Sequence, residues 1–196
     1  MTYEALRHDG SVPKIVFTFH GTGADASQLH GVARQFLPDH YAVSPEGDVS
    51  ENGAARFFRR KSEGVYDMED LDQRVQAMGD FVAAEIERAG AERAVGLGYS
   101  NGANILAATA MARPDLFGTL VLMHPLIPWV PDPVPGLAMA RVLITSGQND
   151  PICPVEMTRG LADWFTAQKA DCILAMHPGE HEVQQSEIDA IRDFLV

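Results

Sequence analysis

A serine lies between two glycines in the segment Gly98-Tyr99-Ser100-Asn101-Gly102, directly after an apolar run and directly before an alanine-rich stretch. A serine on a tight turn between a strand and a helix presents its hydroxyl above the sheet, next to backbone amides that can stabilise a negative oxygen. Glycine suits both flanking positions because side chains two residues from a strained serine would collide. We therefore predict a nucleophile, with a plain glycine-rich loop as the alternative. The glycine spacing fits neither a dinucleotide-binding fingerprint nor a P-loop.

A serine hydroxyl is a weak nucleophile at neutral pH, so this interpretation requires a histidine as base and a carboxylate that orients the histidine. Asp150 and His181 each follow a later apolar segment, which gives the chain order serine, acid, histidine that is typical of this turn. We predict that Ser100, Asp150 and His181 are catalytic. Asp132 and His177 are the alternatives for acid and base, and Asp150 alone could be an ordinary turn residue before proline.

Two backbone amides must also point at the oxygen that becomes negative during attack on a carbonyl. The amide of Asn101, directly after the serine, is the first candidate. Thr22 is the second, because it lies between Gly21 and Gly23 in the loop after the first buried apolar run. Taken alone, that loop could be a turn that leads into a helix starting at Ser27.

Short apolar runs alternate with longer segments of helical periodicity along the whole chain. Near-continuous apolarity is typical of strands buried on both faces, and strands that alternate with helices predict a parallel sheet with helices on both faces. We predict strands at 14–19, 41–44, 94–98, 119–123, 142–145 and 172–176. We predict helices at 28–37, 68–89, 101–112, 155–168 and 183–195.

Two segments, 45–67 and 125–140, are longer than ordinary connections need to be. Ligands of parallel sheets bind beyond the carboxyl ends of the strands, so these segments are candidates for the walls of a pocket. Simple core packing is the alternative for each of their apolar residues. The predicted substrate contacts are Phe57, Phe58, Arg59, Leu126, Ile127 and Trp129.

The first of these segments carries the densest basic cluster of an acidic chain. Pairing with acids such as Glu63, Asp67 or Asp70 is one interpretation, and recognition of an anionic group of a substrate is the other. The cluster consists of Arg56, Arg59, Arg60 and Lys61.

Composition narrows the class of protein. The 196 residues fit one domain, residues 1–196, and a formal net charge of −12 makes nucleic acid an unfavourable partner. No apolar stretch of membrane-spanning length and no secretory signal pattern stand out, so we expect a cytoplasmic protein without membrane insertion. The two cysteines, Cys153 and Cys172, have no metal-binding or disulfide spacing, and Glu182 after His181 does not continue into a zinc motif.

The pattern as a whole resembles the α/β-hydrolase superfamily and, within it, the small serine esterases of the phospholipase/carboxylesterase family. The resemblance covers nearly the whole chain. It rests on His20-Gly21-Thr22-Gly23, on Glu51-Asn52-Gly53 with the stretch Arg56 to Arg60, on the serine segment up to Asn104, on Gly147 with Asp150-Pro151-Ile152 and Pro154, and on Gly179 with His181-Glu182.

That resemblance implies a single-domain α/β-hydrolase fold without a large lid domain. It also implies a triad of Ser100, Asp150 and His181, a two-amide oxyanion hole, no cofactor, and hydrolysis of carboxylic esters of modest size. Glu180 departs from the pattern, because relatives often carry a second glycine there. A carboxylate beside the imidazole favours its protonated form, which predicts activity shifted toward alkaline pH.

We therefore expect a serine carboxylesterase with a small-molecule ester as its partner. The alternatives are thioester or lysophospholipid hydrolysis with the same residues, or a binder on this fold that does not turn its ligand over. A homodimer that uses the apolar surface around Trp129 is a further possibility.

Overall fold

The computed structural model describes residues 3–196, which form eleven strands and five α-helices. The strands are β1 (Ala5–His8), β2 (Ile15–Phe19), β3 (Tyr41–Pro45), β4 (Val49–Glu51), β5 (Ala54–Arg56), β6 (Arg60–Ser62), β7 (Val65–Tyr66), β8 (Ala94–Tyr99), β9 (Phe117–Met123), β10 (Arg141–Gly147) and β11 (Asp171–His177). The helices are α1 (Ser27–Phe36), α2 (Met68–Ala89), α3 (Asn101–Ala112), α4 (Val155–Ala167) and α5 (Gln185–Leu195).

Seven strands form the central sheet, in the order β1-β3-β2-β8-β9-β10-β11. All neighbouring pairs are parallel except β1 with β3. The parallel sheet that the alternating pattern predicted is therefore confirmed. The strand order places the carboxyl ends of β8, β10 and β11 along one edge of the sheet, which is the edge that the serine, the acid and the histidine share.

The alternation of side chains along each strand divides the core between the two faces of the sheet. Phe17 and Phe19 point to the face that packs on α2, α3 and α4, whereas Val16, directly before Phe17, points to the face that packs on α1 and α5. Near-continuous apolarity of β2 therefore follows from burial on both faces. The fold class predicted from the sequence is confirmed.

Two helices begin and end where local chemistry dictates. Asp67 caps α2 by accepting a hydrogen bond from the Asp70 amide, and Gly90 ends the helix in the left-handed conformation at φ 64°. Helix α3 lies between the sheet and α2 and is almost entirely buried, which explains its alanine-rich sequence. Its first residue follows the serine, so the burial of α3 holds the serine turn rigidly against the sheet.

The two long segments also have structure that the sequence did not predict. Segment 45–67 folds into two small hairpins, β4 with β5 and β6 with β7, and segment 125–140 contains one 3-10 turn, Pro135–Leu137. The edge strand β1 was likewise not predicted, because it is only four residues long and two of them, Arg7 and His8, are polar. Among residues 3–196, no helix is both long enough and apolar enough to cross a membrane.

Candidate active site

Ser100 occupies a strained turn between β8 and α3, with φ 53° and ψ −116°. A side chain at either flanking glycine would collide with backbone. A Cβ at Gly98 would lie 2.6 Å from the Gly102 carbonyl oxygen, and a Cβ at Gly102 would lie 2.1 Å from the carbonyl oxygen of Phe19. The steric role predicted for both glycines therefore agrees with the structure, and the turn exposes the serine hydroxyl at the carboxyl edge of the sheet.

His181 bridges the serine and the predicted acid. Its Nε2 lies 3.0 Å from Ser100 Oγ, and its Nδ1 lies 2.7 Å from Asp150 Oδ2. With Nδ1 donating to the carboxylate, Nε2 is left as an acceptor for the serine hydroxyl proton. The loop after β11 thus brings His181 to the end of β8, across β9 and β10.

Asp150 is held as a carboxylate by four donors. The amides of Ile152 and Cys153 donate to Oδ1 at 2.8 and 2.9 Å, so the turn after β10 anchors one oxygen. Oδ2 accepts from His181 and, at 2.8 Å, from Nδ1 of His124. Burial opposes ionisation of Asp150, but the hydrogen bonds from His124, the Cys153 amide and His181 outweigh it and lower the pKa of the carboxyl.

Sequence reasoning missed His124, which directly follows β9 and is fully buried. Its Nδ1 faces Asp150 at 2.8 Å, and its Nε2 faces the carboxylate of Glu187 at 3.2 Å. A neutral imidazole would point a lone pair at one of these carboxylates, so we assign His124 as an imidazolium that donates to both. Burial lowers the pKa of His124, but the bonds to Glu187 and Asp150 win, and the net shift is upward.

His177, the alternative base, lies in the same buried cluster and not against the serine. Its Nδ1 accepts from the Gly179 amide at 3.1 Å, so the single ring proton is on Nε2, which lies 3.1 Å from Glu187 Oε2. Glu187 also closes the first turn of α5 by accepting from the Gln184 amide. The cluster of Asp150, Glu187, cationic His124 and neutral His177 therefore carries one net negative charge.

Two trios of described side chains bring ligand-type atoms within 4.8 Å of one another, namely His124 with Asp150 and His181, and His124 with His177 and Glu187. In both trios the imidazole nitrogens face carboxylate oxygens at 2.7 to 3.3 Å, which are ordinary hydrogen-bond distances. We therefore assign the first trio and the His124–Glu187 contact of the second to hydrogen bonding, whereas His177 Nε2 lies close to Glu187 without making a hydrogen bond.

The loop after β2 holds Thr22 in place while its amide stays available. The Gly21 amide donates to Gln28 Oε1 at 2.8 Å, the Gly23 amide donates to the Ala55 carbonyl at 3.0 Å, and Thr22 Oγ1 accepts from the Arg56 guanidinium at 2.9 Å. Among residues 3–196, neither the Thr22 amide nor the Asn101 amide has a protein acceptor. Both residues border the cavity at Ser100, as a two-amide oxyanion hole requires.

Comparison with known proteins decides the family, although no protein-family model matches the chain. MhqD of Bacillus subtilis (strain 168), whose name classes it as a hydrolase, is 33% identical over 187 residues, 94% of each chain. The chain belongs to the α/β-hydrolase superfamily. An esterase-type member of this superfamily is supported by the Bacillus cereus carboxylesterase, to which the chain is 28% identical with a TM-score of 0.93 over 98% of this chain and 93% of that one.

A further solved structure resembles this hydrolase more strongly. The protein Atu2452 of Agrobacterium tumefaciens str. C58, described as of unknown function, is 47% identical with a TM-score of 0.95, covering 98% of this chain and 95% of that one. The predicted recognition of the superfamily is thus confirmed, and the chain is an esterase-type α/β-hydrolase.

A cavity of about 230 Å³ opens at Ser100 in this hydrolase. Two asparagines one turn apart on α3 tie the long segments to its floor. Asn101 Oδ1 accepts from the Phe57 amide at 2.8 Å, and Asn104 Oδ1 accepts from the Leu126 amide at 2.7 Å. Asn104 Nδ2 also donates to the Tyr66 hydroxyl, which donates to the Leu126 carbonyl. The floor of the cavity is therefore polar and rigid.

Only part of the predicted wall lies at this cavity. Leu126 lines it, but Phe57 and Phe58 are fully buried in the core, where Phe57 packs against Phe19 and Phe58 against Tyr66. Their predicted substrate contacts are corrected on that ground, since large aromatic side chains fill cores as readily as pockets.

Ile127 and Trp129 line a separate apolar hollow with Trp164, away from the serine, so their predicted contacts with substrate are corrected as well. The homodimer predicted for the Trp129 surface stays a prediction. Asp132, the alternative acid, is exposed and does not border the cavity at Ser100.

Within the basic cluster, Arg59 pairs with acids at the surface, whereas Arg56 and Arg60 line the cavity at Ser100. Arg59, whose side chain is 60% exposed, pairs with Asp67 and Asp70, so its predicted contact with substrate is corrected too. Arg60 lines the cavity but is paired with Glu51 at 3.0 Å and with Glu63. Arg56 also lines the cavity and differs from both, because it is buried.

Both cysteines are free, and Cys153 borders the cavity. Its thiol donates to the His124 carbonyl at 3.2 Å. Burial raises the pKa of the Cys153 thiol far above its ordinary value, so the group stays protonated and is a poor competitor to Ser100 as nucleophile.

Proposed function

We propose that this hydrolase is a serine carboxylesterase that cleaves esters of small to medium size through an acyl-enzyme intermediate. The observation that carries the proposal is the position of His181, with Nε2 at 3.0 Å from Ser100 Oγ and Nδ1 at 2.7 Å from Asp150. These are the contacts that an activated serine nucleophile needs, and a protein that only binds its ligand needs neither.

The reaction proceeds in two halves. His181 Nε2 removes the hydroxyl proton as Ser100 Oγ attacks the ester carbonyl, and the amides of Thr22 and Asn101 stabilise the oxyanion. The imidazolium then gives its proton to the leaving alcohol. A water molecule attacks the acyl-enzyme with His181 again as base, and collapse of the second intermediate releases the acid and restores Ser100.

Asp150 keeps His181 oriented throughout both halves. Because the carboxylate accepts from Nδ1, the ring cannot rotate, and Nε2 stays directed at the serine. The negative charge of Asp150 also stabilises the imidazolium that forms when His181 takes the proton.

The size and polarity of the cavity support small substrates. At about 230 Å³, with Arg56, Arg60 and Glu63 in its wall, the cavity is smaller and more charged than a site for a long acyl chain. Short esters are therefore the favoured class. Thioesters of similar size present the same carbonyl to the same residues and are the alternative substrates.

Labelling with a fluorophosphonate and turnover of p-nitrophenyl acetate and butyrate test the proposal. Ser100→Ala abolishes labelling, and we expect a loss of kcat/KM of about 10⁴-fold or more. The exposed serine variant Ser186→Ala is the matched control and keeps both. Undiminished turnover in Ser100→Ala, or a folded wild-type protein that neither labels nor hydrolyses these esters, would falsify the proposal.

A further inference from the structure

Arg56 is a buried cation in the cavity wall, and the proposed reaction gives it no role. Arg56 is 3% exposed, and its guanidinium is fixed by three contacts. Nε donates to the Phe58 carbonyl at 3.2 Å, while Nη1 donates to Thr22 Oγ1 at 2.9 Å and lies 3.4 Å from Glu51 Oε2. The plane of the group is thus held beside the loop that carries the proposed oxyanion-hole amide.

The remaining nitrogen of Arg56, Nη2, has no hydrogen-bond or ion-pair partner among residues 3–196. Arg56 borders the cavity at Ser100, and its other donors are turned toward protein atoms. Nη2 is therefore the part of this fixed guanidinium whose two N–H groups are available to a substrate oxygen, and a hydrogen bond from a charged donor is a strong one.

The geometry favours a single oxygen and not a carboxylate. A carboxylate binds a guanidinium best through two parallel N–H bonds, which need Nη2 together with Nε or Nη1. Both of those nitrogens already donate to protein oxygens. Charge balance agrees, since Arg56 and Arg60 already lie opposite Glu51 and Glu63, and the chain as a whole carries a net charge of −12.

The side chains of His181 and Arg56 differ in exposure, and this difference bears on which part of the ester lies near Arg56. His181, which must reach the leaving alcohol, is 19% exposed, whereas the side chain of Arg56 is 4% exposed. This difference favours a leaving group on the side of His181 and an acyl group on the more enclosed side, where Thr22 and Arg56 border the cavity.

We propose that Arg56 is a specificity-determining residue that donates through Nη2 to a neutral oxygen on the acyl chain. The favoured substrates are then esters of short oxygenated acids, such as alkoxy, hydroxy or keto acids. This inference rests on the proposed esterase function and adds the substrate class to it.

Isosteric ester pairs test the inference directly. The p-nitrophenyl esters of methoxyacetate and butyrate, and of 3-methoxypropionate and valerate, differ only by an oxygen in place of a methylene. For each pair we compare two ratios: kcat/KM of the oxygenated ester over kcat/KM of its isostere with the wild-type enzyme, and the same ratio of rate constants for hydrolysis by hydroxide. In at least one pair, we expect the enzyme ratio to exceed the hydroxide ratio by about tenfold or more, as one hydrogen bond to a charged donor allows. This measurement needs no variant. Equal ratios for enzyme and hydroxide in both pairs overturn the inference.

Substitution then assigns the preference to Arg56. In Arg56→Lys and Arg56→Gln we expect the ratio to fall by about tenfold or more, because the donor at Nη2 is lost. Arg59→Gln removes a neighbouring charge outside the cavity and leaves the ratio unchanged. Variants that lose activity on both isosteres equally, with the ratio intact, show that Arg56 only supports the loop and overturn the inference.

The two proposals fail in distinguishable ways. If Ser100 labels and both isosteres turn over without preference for the oxygenated one, the esterase proposal stands and the Arg56 inference is wrong. If the folded wild-type protein turns over neither isostere and Ser100 does not label, the esterase proposal is wrong and the inference falls with it.

Discussion

The cationic state of His124 can be tested through its effect on the proposed base. The rings of His124 and His181 lie 4.9 Å apart, and both donate to the same oxygen of Asp150. A proton added to His181 during the reaction therefore appears next to a positive charge that is already present. Removing that charge makes protonation of His181 easier, so the acidic limb of the kcat/KM profile must move to higher pH.

The magnitude follows from Coulomb's law. At 4.9 Å, two unit charges repel by about 3.4 kcal/mol at an effective dielectric constant of about 20, and by about 0.8 kcal/mol in bulk water. These values correspond to a shift of the acidic limb by roughly 0.6 to 2.5 pH units. If Glu187 takes up a proton once its cationic partner is gone, the shift lies toward the lower end, because a nearby negative charge disappears together with the positive one.

His124→Asn is the appropriate variant. His124 has a positive φ of 50°, a conformation that asparagine tolerates better than most residues. The asparagine amide can still donate to Asp150, so the variant removes the charge more than the hydrogen bond. His177→Asn is the matched control, since it changes a histidine of the same buried cluster that we assign as neutral.

The assay is the pH dependence of kcat/KM for p-nitrophenyl butyrate, with thermal unfolding recorded for each variant. We expect His124→Asn to move the acidic limb upward while His177→Asn leaves it in place. A folded His124→Asn protein whose acidic limb coincides with that of the wild type, or lies at lower pH, would show that His124 is not a cation in the folded enzyme.

Three further predictions concern the serine turn, the buried cluster and the carboxylate of Glu180 beside His181. Gly102→Ala should destabilise the protein by about 1 to 3 kcal/mol or prevent folding, because the new Cβ would lie 2.1 Å from the Phe19 carbonyl oxygen. The control is Gly160→Ala in α4, where a Cβ has no atom within 4 Å and the substitution should be neutral or stabilising. Equal melting temperatures of the two variants would contradict this prediction. Burial raises the pKa of Glu187, but the hydrogen bonds from His124 and the Gln184 amide and the charge of His124 together outweigh burial, so the pKa lies below its ordinary value of 4.5. The stabilising contribution of the carboxylate is therefore present above about pH 4.5 and is lost as the pH falls through the folded-state pKa. Urea unfolding across pH should therefore show Glu187→Gln less stable than the wild type at pH 7 and the gap narrowing below about pH 4, whereas a gap independent of pH refutes a buried anion. Glu180→Gly should shift the acidic limb of the rate profile to lower pH, and an unchanged profile removes the proposed influence of this exposed carboxylate.

The fold was predictable where local chemistry and tertiary structure agree. Helix α2 has the predicted bounds because Asp67 caps it and Gly90 ends it. The short edge strand β1 was missed because it has only four residues, two of them polar, and therefore carries no apolar run. The hairpins of segment 45–67 were missed for a similar reason, since strands of two or three residues are too short for a periodic signal.

The site was predictable to the extent that topology alone brings residues together. Ser100, Asp150 and His181 each follow a strand, and parallel strands end at the same edge of the sheet. The wall residues were less predictable, because an apolar side chain in a long segment can turn toward the core or toward a cavity. Phe57 turns inward, whereas Leu126 reaches the cavity.

His124 carried a positional signal similar to that of Asp150, since His124 directly follows β9 and Asp150 lies three residues after the end of β10. Its role was hidden because Glu187, which makes its second hydrogen bond, lies 63 residues away in α5. Sequence spacing does not show that a carboxylate from a distant helix enters a buried cluster.

The carboxylate of Glu187 explains why a buried imidazolium at His124 is tolerable beside Asp150. Asp150 Oδ1 is occupied by two amides, and Oδ2 is shared by His181 and His124, so Asp150 alone supplies one negative charge for two imidazoles. An imidazolium at His124 without a second anion would compete for that charge each time His181 becomes protonated. Glu187 supplies the missing charge, which leaves Asp150 able to stabilise the protonated His181. The energetic effects of His124 and Glu187 variants must therefore be non-additive, since each residue in the buried pair neutralises the other.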